Sequence, residues 1–436
     1  MFSSIKNIET YVNNINNNVD ETKFSKNNII VEHRSNNPKR DFLFVNAVQG
    51  KHIPCSPDDT IKMCKELAKL INPAVKGEKL LVIGFCETAT AIANIIADNL
   101  NTDSYVIQTT REDIGEKGKQ LLTFEEEHSH ATTQRLMTYA NTGCSGTCGC
   151  GGACGSNCKC KDTQSLDFND YTYVLFIDDE ISTGRTILNF INAFRKTSSV
   201  KLKFGVASIC NWQSDENREK FNAECIATFS LLSGKLVGED TKMFKPNSNI
   251  ELNESNDYFN LTDSDYTNRT PRILMEGVTG IKASSKYESI RLFEYERLGH
   301  KAKADMTNMC GIFRSFHKNI CTNVRVIGTE EFMYWPIKVA EMLERNGFNV
   351  RVQNTTRSSI DSIKGSKLGI TSKFTVPSVY DDNRVNYLYN LDTLNKGDYV
   401  LFITDVELSD KANAAYTKLF NDTVGYGNYN MVTILT

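Results

Sequence analysis

Two hydrophobic periods alternate along this chain, one of about 2 residues and one of about 3.6, and they predict strands and helices in turn. Residues 42–48 (FLFVNAV) are an apolar run of strand length. Residues 59–72 (DTIKMCKELAKLIN) place Ile61, Cys64, Leu67, Leu70 and Ile71 on one helical face. A strand–turn–helix unit follows, KLLVIG and then FCETATAIANIIADNL, with the strand YVIQTTR at 105–111 after it. Residues 173–178 (YVLFID) form a near-continuous apolar run ending in acids, the pattern of a central parallel strand buried on both faces. A helix at 185–195 and a strand at 203–210 come next. Strands alternating with helices predict an α/β fold, a parallel sheet with crossover helices.

A second α/β pattern starts near residue 290 and repeats the landmarks of the first in order. Val82-Ile83-Gly84 with Glu87 matches Val326-Ile327-Gly328 with Glu331, and each pair precedes an apolar helix. Each helix leads to a strand ending in Thr-Thr-Arg, at 109–111 and 355–357. Tyr173-Val174-Leu175-Phe176-Ile177 then recurs as Tyr399-Val400-Leu401-Phe402-Ile403. Fixed-order self-similarity marks a duplicated unit, so a second, degenerate copy of a similar fold is expected. The interval from Arg to Tyr is 62 residues in the first copy and 42 in the second, an excess about the size of a cysteine-rich segment. The predicted organisation is a polar Asn-rich lead-in (1–31), a first domain (32–235) with a Cys-rich insertion at 144–160, a linker or draped loop (236–271), and a C-terminal α/β domain (272–436).

Composition narrows the partners. The 436 residues are 24% charged and 40% hydrophobic, with a formal net charge of −3. That balance gives no footprint for nucleic acid or an anionic membrane. The first residues lack the apolar core of a signal peptide and no run approaches a membrane span, so a cytoplasmic location is expected. Small-molecule substrates are the expected partners, and homo-oligomer formation stays open. The 13 cysteines are an odd number without a secretion signal, which argues against a disulfide framework. Cys86 and Cys210 sit in apolar stretches and read as small buried hydrophobes. Cys144, Cys148, Cys150, Cys154, Cys158 and Cys160 are different. Six thiolates among glycines suit a soft ion such as Zn²⁺ or Cu(I). The C-x-C pairs resemble metallothionein spacing more than zinc knuckles; the plainer alternative is a thiol-rich loop that takes up metal adventitiously.

The sharpest chemical signal is Phe176-Ile177-Asp178-Asp179-Glu180-Ile181-Ser182-Thr183-Gly184-Arg185-Thr186. An apolar strand delivers two acids to its carboxyl end, where open α/β sheets bind ligands. A short hydroxyl-and-glycine loop then opens a helix, whose free N–H groups suit a phosphate. The acids suit sugar hydroxyls or hydrated Mg²⁺. No G-x-x-x-x-G-K-[ST] precedes them, so a P-loop reading fails. The pattern resembles the 5-phosphoribosyl-1-pyrophosphate (PRPP) motif of type I phosphoribosyltransferases. Gly84, Phe85, Cys86, Glu87 and Thr88 lie between strand and helix, where such enzymes hold pyrophosphate, and Arg111 ends the next strand. Glu127, His128 and His130 fall in an acid-and-histidine stretch suited to base recognition, proton transfer or metal. In the second copy the strand leads to Thr404-Asp405-Val406-Glu407-Leu408-Ser409-Asp410, without the first acid or the glycine. That copy is expected to lack the PRPP site, and either to recognise another ligand or to complete the first site, through Arg357.

Together, NAVQGKHIP (46–54), GFCETA (84–89), QTTR (108–111), FEEEHSHAT (124–132) and DDEISTGRT (178–186) resemble the phosphoribosyltransferase-like proteins of tellurite-resistance-type gene clusters. In that family a C-terminal domain is named for a Thr-Arg-Ser-Pro motif. Here it reads Thr356-Arg357-Ser358-Ser359, without the proline, and Glu331 in GTEEF also fits that domain. The resemblance implies a Mg²⁺-dependent transfer of ribose 5-phosphate from PRPP to a base-like acceptor, with release of pyrophosphate. It places Asp178 and Asp179 at the ribose and metal, Ser182–Thr186 at the 5-phosphate, and Gly84–Thr88 at the pyrophosphate. Glu127, His128 and His130 would serve the acceptor. Metal on the cysteines could order a lid and link the enzyme to metal stress. The rival expectation is a non-catalytic PRPP-, nucleotide- or metal-sensing protein that keeps the fold.

Overall fold

The computed structural model of the chain describes residues 7–34, 36, 40–111, 118–125, 133–139, 166–237, 251–261, 273–276, 323–365 and 369–435. Its strands are β1 (Val12–Asn17), β2 (Ile29–His33), β3 (Phe42–Asn46), β4 (Leu80–Gly84), β5 (Ser104–Thr110), β6 (Gly118–Glu125), β7 (Thr133–Tyr139), β8 (Tyr173–Ile181), β9 (Lys203–Asn211) and β10 (Ile226–Leu236) in the first half. The second half adds β11 (Asn256–Asp257), β12 (Ile273–Glu276), β13 (Asn323–Gly328), β14 (Asn349–Asn354), β15 (Lys373–Pro377), β16 (Val385–Tyr389), β17 (Tyr399–Thr404) and β18 (Tyr429–Leu435). The helices used below are α1 (Pro57–Val75), α2 (Thr90–Ala97), α3 (Arg185–Thr197), α4 (Asp215–Ala223), α5 (Tyr334–Arg345) and α6 (Asp410–Thr423).

The main sheet runs β1-β10-β9-β8-β4-β5-β7-β6, parallel from β10 to β5 and antiparallel at both edges. The expected α/β class is therefore observed. Its central strands are apolar at consecutive positions because both faces are covered. Leu80, Val82, Leu175 and Ile177 enter the core under α1 and α2, while Leu81, Ile83, Val174 and Phe176 enter the one under α3. Helix α1 starts at Ser56, whose Oγ accepts from Asp58 N at 3.2 Å, with Pro57 in the first turn.

The second sheet is wholly parallel, in the order β12-β18-β17-β13-β14. Strands β18, β17, β13 and β14 match β9, β8, β4 and β5 in order and direction. The fifth differs: β12 precedes its sheet in the chain, whereas β10 follows. The two sheets do not stand apart across a linker. Apolar residues of β13, β14 and α5 belong to the same core as α1 and α2, and α1 and α2 both pack on α5.

Three segments differ from expectation. The Asn-rich start supplies edge strand β1, antiparallel to β10, and buries Val12 and Phe24. An edge strand needs few apolar positions, so asparagines on its open side hide it. The run at 42–48 joins no parallel sheet; as β3 it makes a two-stranded antiparallel hairpin with β2. Of the 236–271 segment, β11 pairs with β15 beside β16, on the C-terminal half rather than the first domain. No described helix is long and apolar enough to cross a membrane.

Candidate active site

The floor of the site is the carboxyl end of β8. The sequence reading ends the strand at Asp178, but β8 continues to Ile181, because β9 keeps pairing as far as Ile181↔Asn211. Asp178, Asp179 and Glu180 are half-buried, and Asp178 Oδ1 accepts from Asp179 N at 2.9 Å. Gly184 then caps α3 at φ +75° without a side-chain cap bond. An added Cβ there would lie 2.6 Å from the Phe221 ring and 2.7 Å from Gln213 Nε2, so dihedral and space both demand glycine. The start of α3 thus meets the cavity with no cap from Gly184 itself, one long bond from Arg185 N to Thr183 Oγ1 at 3.4 Å, and no acid in its first turn, an arrangement that suits a phosphate. The matching helix α6 is plugged: Ser409 Oγ accepts from Ala412 N at 3.0 Å, and Asp410 occupies the first turn. Gly184→Ala is expected to cost about 1–2 kcal/mol from the left-handed dihedral alone, read as a lowered urea midpoint; an unchanged midpoint would contradict this packing.

The second wall is the loop after β4. Phe85 N donates to Ile177 O at 2.9 Å, Cys86 N to Thr109 Oγ1 at 2.9 Å, and Gln49 Nε2 to Thr88 O at 2.8 Å. The Cys86–Glu87 peptide is cis. Gly84 lies behind the loop, where an added Cβ would meet Ala93 Cβ at 2.7 Å. Glu87 is buried and pairs with buried Lys51 at 2.5 Å. Burial pushes the Glu87 carboxyl up, but Lys51, Arg357 and Arg111 outweigh it and hold the group at about 2. Lys51 also donates to Glu330 O at 2.6 Å, tying this loop to the second sheet.

The roof comes from elements the motif reading did not include. Arg34 and Arg40 flank the β2–β3 connection, and Gln49 and His52 follow β3. All four border a cavity of about 290 Å³, together with Phe85–Thr88, Arg111, Asp178–Gly184, Thr186 and, from the C-terminal half, Arg357 and Ser358. Arg40 pairs with Glu180 at 3.0 Å and lies 4.3 Å over the Phe42 ring. Arg357 Nε donates to fully buried Glu330 at 2.7 Å; Asn386 Nδ2 (2.6 Å), Ser378 and Arg384 also reach that carboxylate. Burial pushes Glu330 up, and the Arg357 and Arg384 charges reverse this and lower it.

The two Thr-Thr-Arg strand ends therefore place Arg111 and Arg357 on one cavity, because the carboxyl ends of the two sheets abut. Thr90 Oγ1 donates to Glu331 O at 2.9 Å, and Thr110 Oγ1 to Glu331 Oε2 at 3.2 Å. Glu331 is thus a buried brace rather than part of the lining. Thr356 is buried, pairs its backbone with Tyr387, and accepts from Ser358 N at 3.1 Å. Arg185 is exposed and outside the lining. Glu127, His128, His130 and the six cysteines from Cys144 to Cys160 lie outside the described residues. Among the described residues no cluster of three or more His, Cys, Asp or Glu could hold a metal ion. Cys86 and Cys210 are buried, as expected. A dense basic stretch between two apolar runs, EHRSNNPKRDF, was the available signal for Arg34 and Arg40.

An α/β sheet with acids, a glycine-opened helix start and converging arginines at its carboxyl end is the arrangement expected of a phosphoribosyl transferase. Comparison agrees: residues 31–235 match the family model for "phosphoribosyl transferase", and 299–420 match that for the "TRSP domain C terminus to PRTase_2". The chain belongs to this family, a phosphoribosyl transferase domain followed by a TRSP domain. No curated protein matches it. Solved structures similar to it include adenine phosphoribosyltransferase from Rhodothermus marinus (16% identity, 49% of this chain and 99% of that one, TM-score 0.33). Adenine phosphoribosyltransferase from Trypanosoma brucei, in complex with AMP, pyrophosphate and ribose-5-phosphate, matches at 13% identity, 51% and 84% coverage and TM-score 0.30. Overlaps of this size do not bear on the chemistry of the site.

Proposed function

We propose that the chain transfers the 5-phosphoribosyl group of PRPP to a nitrogenous acceptor and releases pyrophosphate. The observation that carries this reading is the convergence of Asp178 and Asp179, the glycine-opened start of α3 and the Phe85–Thr88 loop on one cavity. The acceptor nitrogen forms a bond to the anomeric carbon as the bond to pyrophosphate breaks, and the acceptor's proton leaves. Positive charge develops on the ribose in between, so the protein acts by positioning and by fixed charge. Asp178 and Asp179 face the ribose, Ser182, Thr183, Gly184 and Thr186 hold the 5-phosphate, and Phe85–Thr88 with Arg111 hold the leaving pyrophosphate. The two carboxylates are hard oxygen donors at the cavity floor and fit Mg²⁺ arriving with PRPP, which would neutralise charge on the leaving group. Proton transfer falls by sequence to Glu127, His128 or His130. The test is calorimetric titration of the full chain with PRPP and Mg²⁺, plus pyrophosphate release across a panel of bases. Absence of PRPP binding would overturn the reading.

Arg357 makes this a site shared with the TRSP domain. Arg357→Gln is expected to raise the KM for PRPP about 10- to 100-fold, the worth of one hydrogen bond to a charged group. Arg384→Gln is the control, because Arg384 also reaches Glu330 but does not border the cavity. Equal effects of the two variants would show that Arg357 acts only through Glu330.

A further inference from the structure

The roof holds recognition groups that the PRPP chemistry leaves unused. Arg34 is half-buried and borders the cavity, and its Nε is shielded from solvent without a hydrogen-bond partner. The acids that face it are engaged elsewhere: Asp361 pairs with His33 Nδ1 at 2.6 Å, and Glu180 pairs with Arg40 at 3.0 Å. Among the described residues, no carboxylate pairs with Arg34. Burial and the neighbouring Arg40 charge push its guanidinium down, the opposite of what a bound anion would do. His52 is 5% exposed, borders the same cavity, and has a buried Nε2 without a partner. Burial and Lys51 push this imidazole down to about 3, so it is neutral and can hydrogen-bond a ring without carrying charge.

The opposing side is held by hydrogen bonds. Tyr389 OH donates to Ser358 O at 2.6 Å and accepts from Ile360 N at 2.8 Å, and Asp361 N donates to His33 O at 2.9 Å. The loop from Arg357 to Asp361 is thereby fastened to β2. A slot results between hairpin and TRSP loop, above the floor that holds the ribose. A half-buried cation that no described carboxylate pairs favours an anion, and a buried imidazole nitrogen without a partner favours a hydrogen-bonding ring edge.

We propose that the acceptor is an anionic nitrogen heterocycle, its acidic group paired with Arg34 and its ring edge hydrogen-bonded by His52. This rests on the transferase reading and names the substrate class for it. A PRPP phosphate could present the same negative charge to Arg34, so the experiment separates the two sources. The full chain with PRPP and Mg²⁺ is given carboxylated bases (orotate, nicotinate) and neutral bases (adenine, hypoxanthine, uracil), and pyrophosphate release is measured. Acidic bases are expected to have the higher kcat/KM. Arg34→Gln is expected to raise the KM for the acidic base about 10- to 100-fold while the Kd for PRPP stays within about twofold, and Arg34→Lys is expected to fall between. A neutral base with the highest kcat/KM, or turnover of neither class by a protein that binds PRPP, would overturn the proposal. So would an Arg34→Gln variant whose main loss is in PRPP affinity. A wild-type chain that fails to bind PRPP removes the transferase reading itself, a distinct result seen before any base is added.

Discussion

Asp178→Asn combined with Asp179→Asn is expected to lower pyrophosphate release from PRPP by at least about 10³-fold, while the protein stays folded. The size follows from electrostatics: one preorganised polar group at a developing charge is worth about 10²–10³ in rate, and in the proposed transfer two carboxylates face the same ribose. The fold should survive because neither carboxylate is a pairing group of the sheet. The strand is held by its backbone against β9, with Asp178↔Ser208 in register, and both side chains are only half-buried. The amide that replaces the Asp178 carboxylate keeps an oxygen able to accept from the following N–H, as Asp178 Oδ1 does now at 2.9 Å. Surface-type changes of this kind usually shift stability within about 0.5 kcal/mol. Urea unfolding checks the second half of the expectation and a pyrophosphate assay the first. Turnover at the wild-type rate in a folded double variant would remove these residues from the mechanism.

What was legible in the sequence was what short-range pattern controls. Strands β4 and β8 announce themselves by unbroken apolar runs, and the Thr183-Gly184 turn by residues that a left-handed helix start requires. Repeated landmarks in fixed order suggested kinship between the two halves, but the strand order of neither sheet could be read from them. Long-range pairing was not legible. Lys51 meets Glu330 across 279 positions, and Arg40 meets Glu180 across 140. Nothing local says that a strand at 42–46 leaves the parallel sheet, since an apolar run serves a hairpin equally well. Helix α2 begins at Thr90, just after the 84–88 stretch that lies between strand and helix in the sequence reading, and Phe85 and Cys86 donate their N–H groups to Ile177 O and Thr109 Oγ1. The abutment of the two sheets rests on such contacts, so Arg357 could be flagged as a candidate but not placed.

That abutment has its own expected result. Lys51 is 1% exposed and joins Glu87 of the loop after β4, at 2.5 Å, to Glu330 O of the second sheet, at 2.6 Å. Removing one partner of a buried ion pair leaves the other charge uncompensated, which costs about 3–5 kcal/mol. Lys51→Met is therefore expected to lower unfolding free energy by about that amount and to weaken PRPP binding, because Glu87 would swing or protonate. Lys51→Met with Glu87→Gln removes both charges and is expected to recover most of the stability, though not the PRPP affinity, since the loop loses its tie to Glu330. The pH dependence follows from the sign of the Glu87 shift. Its carboxyl is depressed from 4.5 to about 2 by folding, so the stabilisation is complete above the unfolded value near 4.5 and is lost as pH falls through about 2. In Lys51→Met the carboxyl rises toward its ordinary range, held down only by Arg357 and Arg111, and the stability curve flattens over that window. Urea midpoints measured from pH 6 to pH 3 would show it. A Lys51→Met protein less than about 1 kcal/mol weaker than wild type would mean that the sheets are held together by their apolar core alone.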